Sequence, residues 1–291
     1  MNQKLIDKAH KVALEMMSEV SFDKEAHVYT CKSDGSWLQG VSTVSSIIPK
    51  PWLAPWGSKE AVKFLGFSDY PGDYKRANEV LDSIVHTIYT TANPAKEFIE
   101  LLREAKGASK KKSKDALVDG TAGHKWIETY VKARIRKEKL PEIPEGMLKR
   151  PLTQFVEWEQ KNVDYWILSE VMVSSVKEGY AGTVDGLAMM KTGKLAVIDY
   201  KFSSRISEDA YLQTAGYQNC FEKHGLSIDE RIIIRLPKTL EKEVWDKKTR
   251  TYSKVENKIE IKFVETDYEF DRDVFLHCLP LKKWINKVQN N

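Results

Sequence analysis

The chain has 291 residues, of which 42% are hydrophobic and 30% are charged, with a formal net charge of +4. This length is sufficient for one large domain, or for a core with an appended domain, and no apolar run approaches the roughly 20 residues that span a bilayer. The first residues lack the apolar centre of a signal peptide and contain acids that a transit peptide avoids, so we expect a cytoplasmic protein without a membrane partner.

The first 118 residues are predicted to form a mainly helical cap. Residues 6–20 have helical periodicity, and residues 26–31 and 37–41 form two short β segments typical of a hairpin. Further helices are expected from residue 42 to residue 106. No pattern of chemistry-bearing residues occurs in this part of the chain, so we assign it a covering role.

Residues 106–114 contain five lysines and no acid. This composition favours a solvated, mobile linker between the cap and a core that spans residues 119–291. The alternative is an arm in which Lys110, Lys111 and Lys112 contact the phosphates of a nucleic acid. Either role is compatible with the sequence.

The core is predicted to begin with a helix from residue 120, which carries His124 and Glu128 on one face because they are four residues apart. A strand over residues 166–174 follows and contains Glu170. If the turn at residues 177–179 is tight, Glu170 lies opposite Asp185 on the next strand.

The most informative segment is the hairpin formed by residues 182–187 and 195–201. A turn centred on Thr192 makes Asp185 and Asp199 directly opposed, with Cβ atoms roughly 5 Å apart. Two carboxylates at that distance repel by roughly 3 kcal/mol at an effective dielectric near 20, which a divalent cation would relieve. Carboxylate oxygens suit Mg²⁺ or Mn²⁺, and Lys201, on the same strand face as Asp199, can contact a water or a phosphate oxygen.

A helix over residues 208–223 presents Gln213 and Tyr217 on one face. Strands at 231–236 and 259–264 and a terminal helix over 271–288 complete the core, with a charged excursion at 238–258. Because a helix separates strand 231–236 from the meander, that strand can pair in parallel with it. The predicted class is therefore α/β, with a mixed sheet flanked by helices.

In their order, the motifs Gly-Thr-x-x-His-x-x-x-Glu, Gly-Thr-Val-Asp, Ile-Asp-Tyr-Lys and Gln-x-x-x-Tyr resemble the RecB-like branch of the PD-(D/E)XK nuclease superfamily, which includes phage-type exonucleases. The resemblance covers about residues 119–236 and implies a metal-dependent DNA exonuclease in recombination, repair or phage DNA processing, in a bacterial or phage-infected cell. It implies that the metal ligands are His124, Asp185, Asp199 and the carbonyl of Tyr200. Lys201 would be the catalytic lysine, with Gln213 and Tyr217 beside it near the DNA, and Glu170 and Glu128 would match accessory acidic positions.

Some members of this branch bind an iron–sulfur cluster through four cysteines, whereas this chain has three, which are too few for such a site. We therefore expect Mg²⁺ or Mn²⁺ and no iron–sulfur cluster. The expected partner is DNA, as a single strand or at its ends, and a protein partner in recombination is not identified. Three alternatives stay open: an endonuclease of the same superfamily, a non-cleaving nucleic-acid module, and a carboxylate-pair hydrolase of sugars, which would leave Lys201 and His124 without a task.

Overall fold

The structure is a computed structural model that describes residues 3–67, 74–246 and 251–289. The chain divides into two compact units, one made of Met1–Ile48 together with Asp119–Asn291 and the other of Pro49–Val118. In the described residues, none of the helices has both the length and the apolar character that crossing a membrane requires.

Eight helices and ten strands are described. The helices are α1 Gln3–Glu19, α2 Val41–Ser45, α3 Leu53–Phe64, α4 Tyr74–Tyr89, α5 Pro94–Arg136, α6 Lys149–Asn162, α7 Glu208–Lys223 and α8 Tyr268–Gln289. The strands are β1 Val20–Asp23, β2 Val28–Cys31, β3 Trp37–Gly40, β4 Val163–Ser175, β5 Tyr180–Met190, β6 Leu195–Phe202, β7 Glu230–Leu236, β8 Glu241–Asp246, β9 Thr251–Glu256 and β10 Glu260–Phe263.

The first unit is built on an eight-stranded mixed sheet, with the order β1-β2-β3-β5-β6-β7-β10 and β4 paired to β5. Strands β4, β5 and β6 form the predicted antiparallel meander. After the crossover through α7, β7 pairs in parallel with β6. The predicted α/β class with a mixed sheet and flanking helices is therefore confirmed.

Helices cover both faces of this sheet. On one face, α1, α2, α7 and α8 contribute side chains to a core around β4 and β5 that includes Met16, Val44, Phe221 and Phe275. On the other face, the C-terminal part of α5 and helix α6 contribute to a second core that includes Ile127 and Phe155. Both cores exclude water from the strands between them, so the central strands are rigid supports for polar side chains.

The first 48 residues belong to the same unit as the core, and this differs from the predicted division at residue 118. Helix α1 buries Ala9, Val12, Ala13 and Met16, and β3 pairs in parallel with β5 through Gln39 and Tyr180. Such a pairing joins residues about 140 positions apart, so no local pattern in the sequence reports it.

The prediction of a mobile linker at residues 106–114 is wrong, because these residues lie inside the continuous helix α5. The predicted start of a helix at residue 120 is wrong for the same reason, since α5 begins at Pro94. Lysine and alanine are both good helix formers, and a run of like charges lowers the stability of a helix only by tenths of a kilocalorie per pair. The prediction from composition was therefore wrong for a segment whose residues have a high helix propensity.

Candidate metal and phosphodiester site

The β5–β6 hairpin has the register that the sequence predicts. The pairs run from Met189 with Leu195 to Gly186 with Ile198, and the next position in that register places Asp185 opposite Asp199. The ladder stops at this point, and the backbone N–H of Tyr200 instead donates to Oδ2 of Asp185 at 2.7 Å. A side chain thus replaces a backbone acceptor where the two strands separate.

Asp185 lies in a gap between two ladders along one edge of β5. Pairing with β3 ends at Ala181, and pairing with β6 begins only at Gly186. The gap is therefore a stretch of β5 that, among the described residues, has no paired strand along that edge. A polar side chain at such a gap can reach solvent and ligands although the sheet is covered on both faces.

Glu170 occupies the third acidic position that the sequence predicts. Its neighbours Ser169 and Val171 pair with Gly186 and Val184, so the register places Glu170 opposite Asp185. Glu170 itself takes a φ of 51°, a left-handed conformation that costs a non-glycine residue on the order of 1–3 kcal/mol. The fold maintains this strained residue between two regular pairs, which is typical of a functional position.

His124 approaches the same point from helix α5. The helix can lie close to the sheet because Gly123 has no side chain, and any Cβ there would collide with the ring of Phe202. The imidazole of His124 lies 5.3 Å from that ring, measured between centroids. Contact between Gly123 and β6 therefore fixes the height of His124 above the strand.

His124, Glu170 and Asp185 each offer a ligand atom, and these atoms all lie within 4.8 Å of one another. One nitrogen and two carboxylate oxygens at this separation form a donor set that fits a divalent metal ion. Asp199 is not part of this group of described residues, and its Oδ1 accepts a hydrogen bond from Lys201. Tyr200, whose carbonyl the resemblance implies as a ligand, lies within β6 next to Asp199 and pairs with Ile234 of β7.

Asp199 and Lys201 begin a chain of hydrogen bonds that reaches helix α7. The Lys201 ammonium donates at 2.9 Å both to Oδ1 of Asp199 and to Oε1 of Gln213, and Nε2 of Gln213 donates at 2.8 Å to the hydroxyl of Tyr217. The sequence therefore identified four residues that the fold connects. Gln213 and Tyr217 thus hold the lysine in position from helix α7.

The second oxygen of Asp199 has a different environment. Asp199 is fully buried, and Oδ2 lies 2.7 Å from the Lys201 nitrogen without accepting a hydrogen bond. Buried carboxylate oxygens normally have hydrogen-bond partners. Oδ2 thus contacts the ammonium at ion-pair distance and keeps a second lone pair, which a cation could use.

The three carboxyl groups hold their protons more tightly than exposed acids do. Burial, with the charge of Asp185 adding to it, raises the pKa of Glu170 to about 8. Burial also raises the pKa of Asp199 to about 6 although Lys201 opposes it, and burial raises the pKa of Asp185 in the same way. A cation would reverse these shifts, because it favours the ionised form of every carboxylate near it.

The two basic groups respond in opposite directions. Burial lowers the pKa of His124, and the nearby charge of Lys201 lowers it further. Burial also acts to lower the pKa of Lys201, but Asp199 and Asp185 outweigh it and raise that pKa above its ordinary value. Near neutral pH the imidazole is therefore an uncharged ligand and the lysine is a cation.

The remaining predicted residues lie outside the group around His124. Glu128 accepts hydrogen bonds from Lys125 at 2.9 Å and from Lys132 at 2.6 Å, so its oxygens are engaged on the surface of α5. Lys110, Lys111 and Lys112 lie on the part of α5 that belongs to the second unit. There Lys112 forms an ion pair with Glu60 at 2.8 Å.

Sequence reasoning missed two features of the site. Gly123 determines how closely α5 approaches β6, and the Gly-x-x-Gly spacing of residues 120 and 123 is a signal of close approach that could have identified it. Lys238 follows β7 and lies 3.6 Å from the position of a Cβ on Gly120, where its charge contributes to lowering the pKa of His124. No local motif marks Lys238, because β7 brings it to the site.

Comparison with known proteins gives no assignment. No family model matches the chain, and no curated protein matches it.

Proposed function

We propose that this protein is a metal-dependent nuclease of the PD-(D/E)XK type that hydrolyses phosphodiester bonds in DNA. The observation that carries the proposal is the donor group of His124, Glu170 and Asp185 next to the buried pair of Asp199 and Lys201. Acidic and imidazole ligands with an adjacent fixed cation fit a reaction at a phosphate. A sugar hydrolase needs only the two acids, and the lysine network would have no task in it.

His124, Glu170 and Asp185 would hold Mg²⁺ or Mn²⁺, and Oδ2 of Asp199 would be a further ligand beside the Lys201 ammonium. A bound divalent ion would polarise the scissile phosphate and lower the pKa of a water. The residues fit the role of metal ligands, because burial disfavours the ionised form of their carboxyl groups and a nearby positive charge would stabilise it.

Lys201 would contact the substrate directly. An ammonium has three N–H donors, and its hydrogen bonds to Asp199 and Gln213 leave one donor for a phosphate oxygen or a water. Because its pKa is raised, the lysine stays protonated near neutral pH. A protonated lysine can orient a water or stabilise developing charge but cannot accept a proton, so we assign it those roles and not that of a general base.

DNA is the proposed polymer and cleavage from an end the proposed mode, in the cytoplasm of a bacterial or phage-infected cell, during repair, recombination or phage DNA processing. These finer assignments rest on the motif resemblance. Lys110, Lys111 and Lys112, exposed on α5, are proposed to add phosphate contacts.

The test is a gel assay with a linear single strand and a closed circle of the same sequence, in Mn²⁺ or Mg²⁺ at low salt. We expect the linear strand to be degraded, the circle to survive, and EDTA to stop the reaction. Equal initial rates on both substrates would replace the exonuclease by an endonuclease. Metal binding without cleavage of either substrate would indicate a non-cleaving module, and the absence of both metal binding and cleavage would refute the proposal.

A further inference from the structure

The C-terminal half of α8 has an exposed face that the proposed active site does not use. Leu281, Trp284 and Val288 are 47%, 61% and 54% exposed, at a spacing that places them on one side of the helix. Lys283 and Lys287 are exposed beside Trp284. We call these five residues the α8 face.

The opposite side of α8 anchors the helix to the first unit. Phe275, Cys278 and Leu279 are buried, and Gly216 on α7 leaves room for the ring of Phe275. Trp284 therefore belongs to a helix that is anchored through its N-terminal half and is half-buried at Ile285 and Asn286. Its exposure does not result from a helix that lacks a place in the fold.

The α8 face is positively charged. Between Val274 and Gln289 the chain has Lys282, Lys283 and Lys287 and no acid. The Nζ atom of Lys283 lies 3.0 Å from the position of a Cβ on Gly179, and the adjacent Glu178 is already bonded by Asn219 at 2.7 Å and by Lys223 at 3.3 Å. Glu178 thus opposes part of the Lys283 charge, and the net charge of this stretch of α8 stays positive.

The charge decides between possible occupants. A second copy that used the same face would bring lysines against lysines, which opposes a symmetric dimer. An exposed indole with two lysines on one flank instead matches a single strand of nucleic acid, because a base stacks on the ring and phosphates contact the ammonium groups. We propose that the α8 face binds single-stranded nucleic acid; as a substrate contact outside the active site, this rests on the proposed nuclease function.

The test measures the Kd of a fluorescently labelled single-stranded oligonucleotide by anisotropy, with EDTA present so that no cleavage occurs. Trp284→Ala should weaken binding by at least about fivefold, the lower limit for loss of one stacked base. Lys283→Gln combined with Lys287→Gln should reduce the slope of log Kd against log salt by about 0.7 for each phosphate that the lysines no longer neutralise.

Two controls match these variants. Phe270→Ala removes an aromatic side chain that is 68% exposed on the same helix but lies next to Glu269 and Asp271. Lys4→Gln combined with Lys8→Gln removes two exposed lysines with the same spacing on α1. Both controls should leave the Kd and the salt slope unchanged.

An unchanged Kd and slope in both α8 variants would overturn the proposal, as would equal losses in the controls. A dimer in sedimentation that Trp284→Ala dissociates, without an effect on the Kd, would assign the face to a protein contact and would also overturn it. The nuclease function fails separately, if the wild-type protein does not cleave the same oligonucleotide in Mn²⁺.

Discussion

At the scale of single residues, the site pairs ionisable groups, and burying either group without its partner would cost free energy. Asp199 is fully buried and receives its hydrogen bond from Lys201. Removing one partner of such a pair leaves an uncompensated charge, which typically costs about 3–5 kcal/mol. The same pair would therefore affect both stability and chemistry, and substitutions must separate the two effects.

Asp199→Ala should abolish both metal binding and cleavage. Lys201→Ala should abolish cleavage and keep metal binding, but only at higher pH. Lys201 holds the pKa of Asp199 down to about 6 against the effect of burial, so losing the lysine raises the pKa of Asp199 further and protons compete with the metal. Calorimetric titration with Mn²⁺ at pH 7 and pH 9, together with a cleavage assay, checks this. Near-normal turnover of Lys201→Ala would show that the assigned active site is wrong.

Glu170 should make the stability of the metal-free protein depend on pH. Its pKa is about 8 in the folded protein, whereas the ordinary value of a glutamate is 4.5, so the folded state binds the extra proton between these values and the stabilisation is complete below about pH 4.5. It is lost as the pH rises to about 8. Glu170→Gln should flatten the decrease in the free energy of unfolding between pH 5 and pH 9, as measured with urea. An identical pH slope in both proteins would contradict the assignment.

At the scale of elements, helix α5 carries two glycines with opposite roles. Gly123 lies against the ring of Phe202, whereas among the described residues no atom outside the adjoining helix backbone lies within 4 Å of a Cβ placed on Gly107. In an open helical position, alanine is more stable than glycine by roughly 1 kcal/mol. Where a neighbouring ring occupies the space, steric overlap outweighs that gain.

Gly107→Ala should therefore stabilise the protein by about 0.5–1 kcal/mol, and Gly123→Ala should destabilise it by about 1–3 kcal/mol. The second change should also weaken metal binding, because it moves His124. Urea unfolding and Mn²⁺ titration measure both effects. Combining Gly123→Ala with Phe202→Leu should recover part of the loss, and a double variant as unstable as Gly123→Ala alone would show that the ring is not the cause.

Element types followed from the sequence more reliably than their extents. The alternating segments around Asp185 and Asp199 have a period of two and a short turn, which fixes the register locally. Helix α5 was divided wrongly because a lysine run was interpreted by its charge and not by its helix propensity. Whether such a run is helical depends on the packing of the residues on either side of it.

At the scale of the whole molecule, the two units differ in how the chain forms them. The first unit combines residues 1–48 with residues 119–291, and the second is the continuous segment between them. The proposed metal ligands His124, Glu170 and Asp185 all belong to the first unit. A ligand that binds one unit stabilises that unit by mass action and leaves the intrinsic stability of the other unchanged.

Mn²⁺ at about 100 times its Kd should therefore raise the free energy of unfolding of the first unit by about 2.7 kcal/mol. Hydrogen exchange of backbone amides in β5 and β6 should slow, while exchange in α3 and α4 should not change. Asp185→Asn should remove the effect. Equal slowing in both units would indicate that the metal acts elsewhere or that the units unfold together.

The sequence by itself determined the hairpin, the acidic row of Glu170, Asp185 and Asp199, and the helical pairs, because register and helical spacing depend on neighbours within about 20 residues. The tertiary structure decided three things that depend on distant partners: the pairing of β3 with β5, the approach of α5 through Gly123, and the left-handed backbone of Glu170. It also brought ligand atoms of His124, Glu170 and Asp185 within 4.8 Å of one another, because α5 approaches the sheet where the ladders of β3 and β6 leave part of one edge of β5 unpaired among the described strands, and no local pattern encodes where two ladders end.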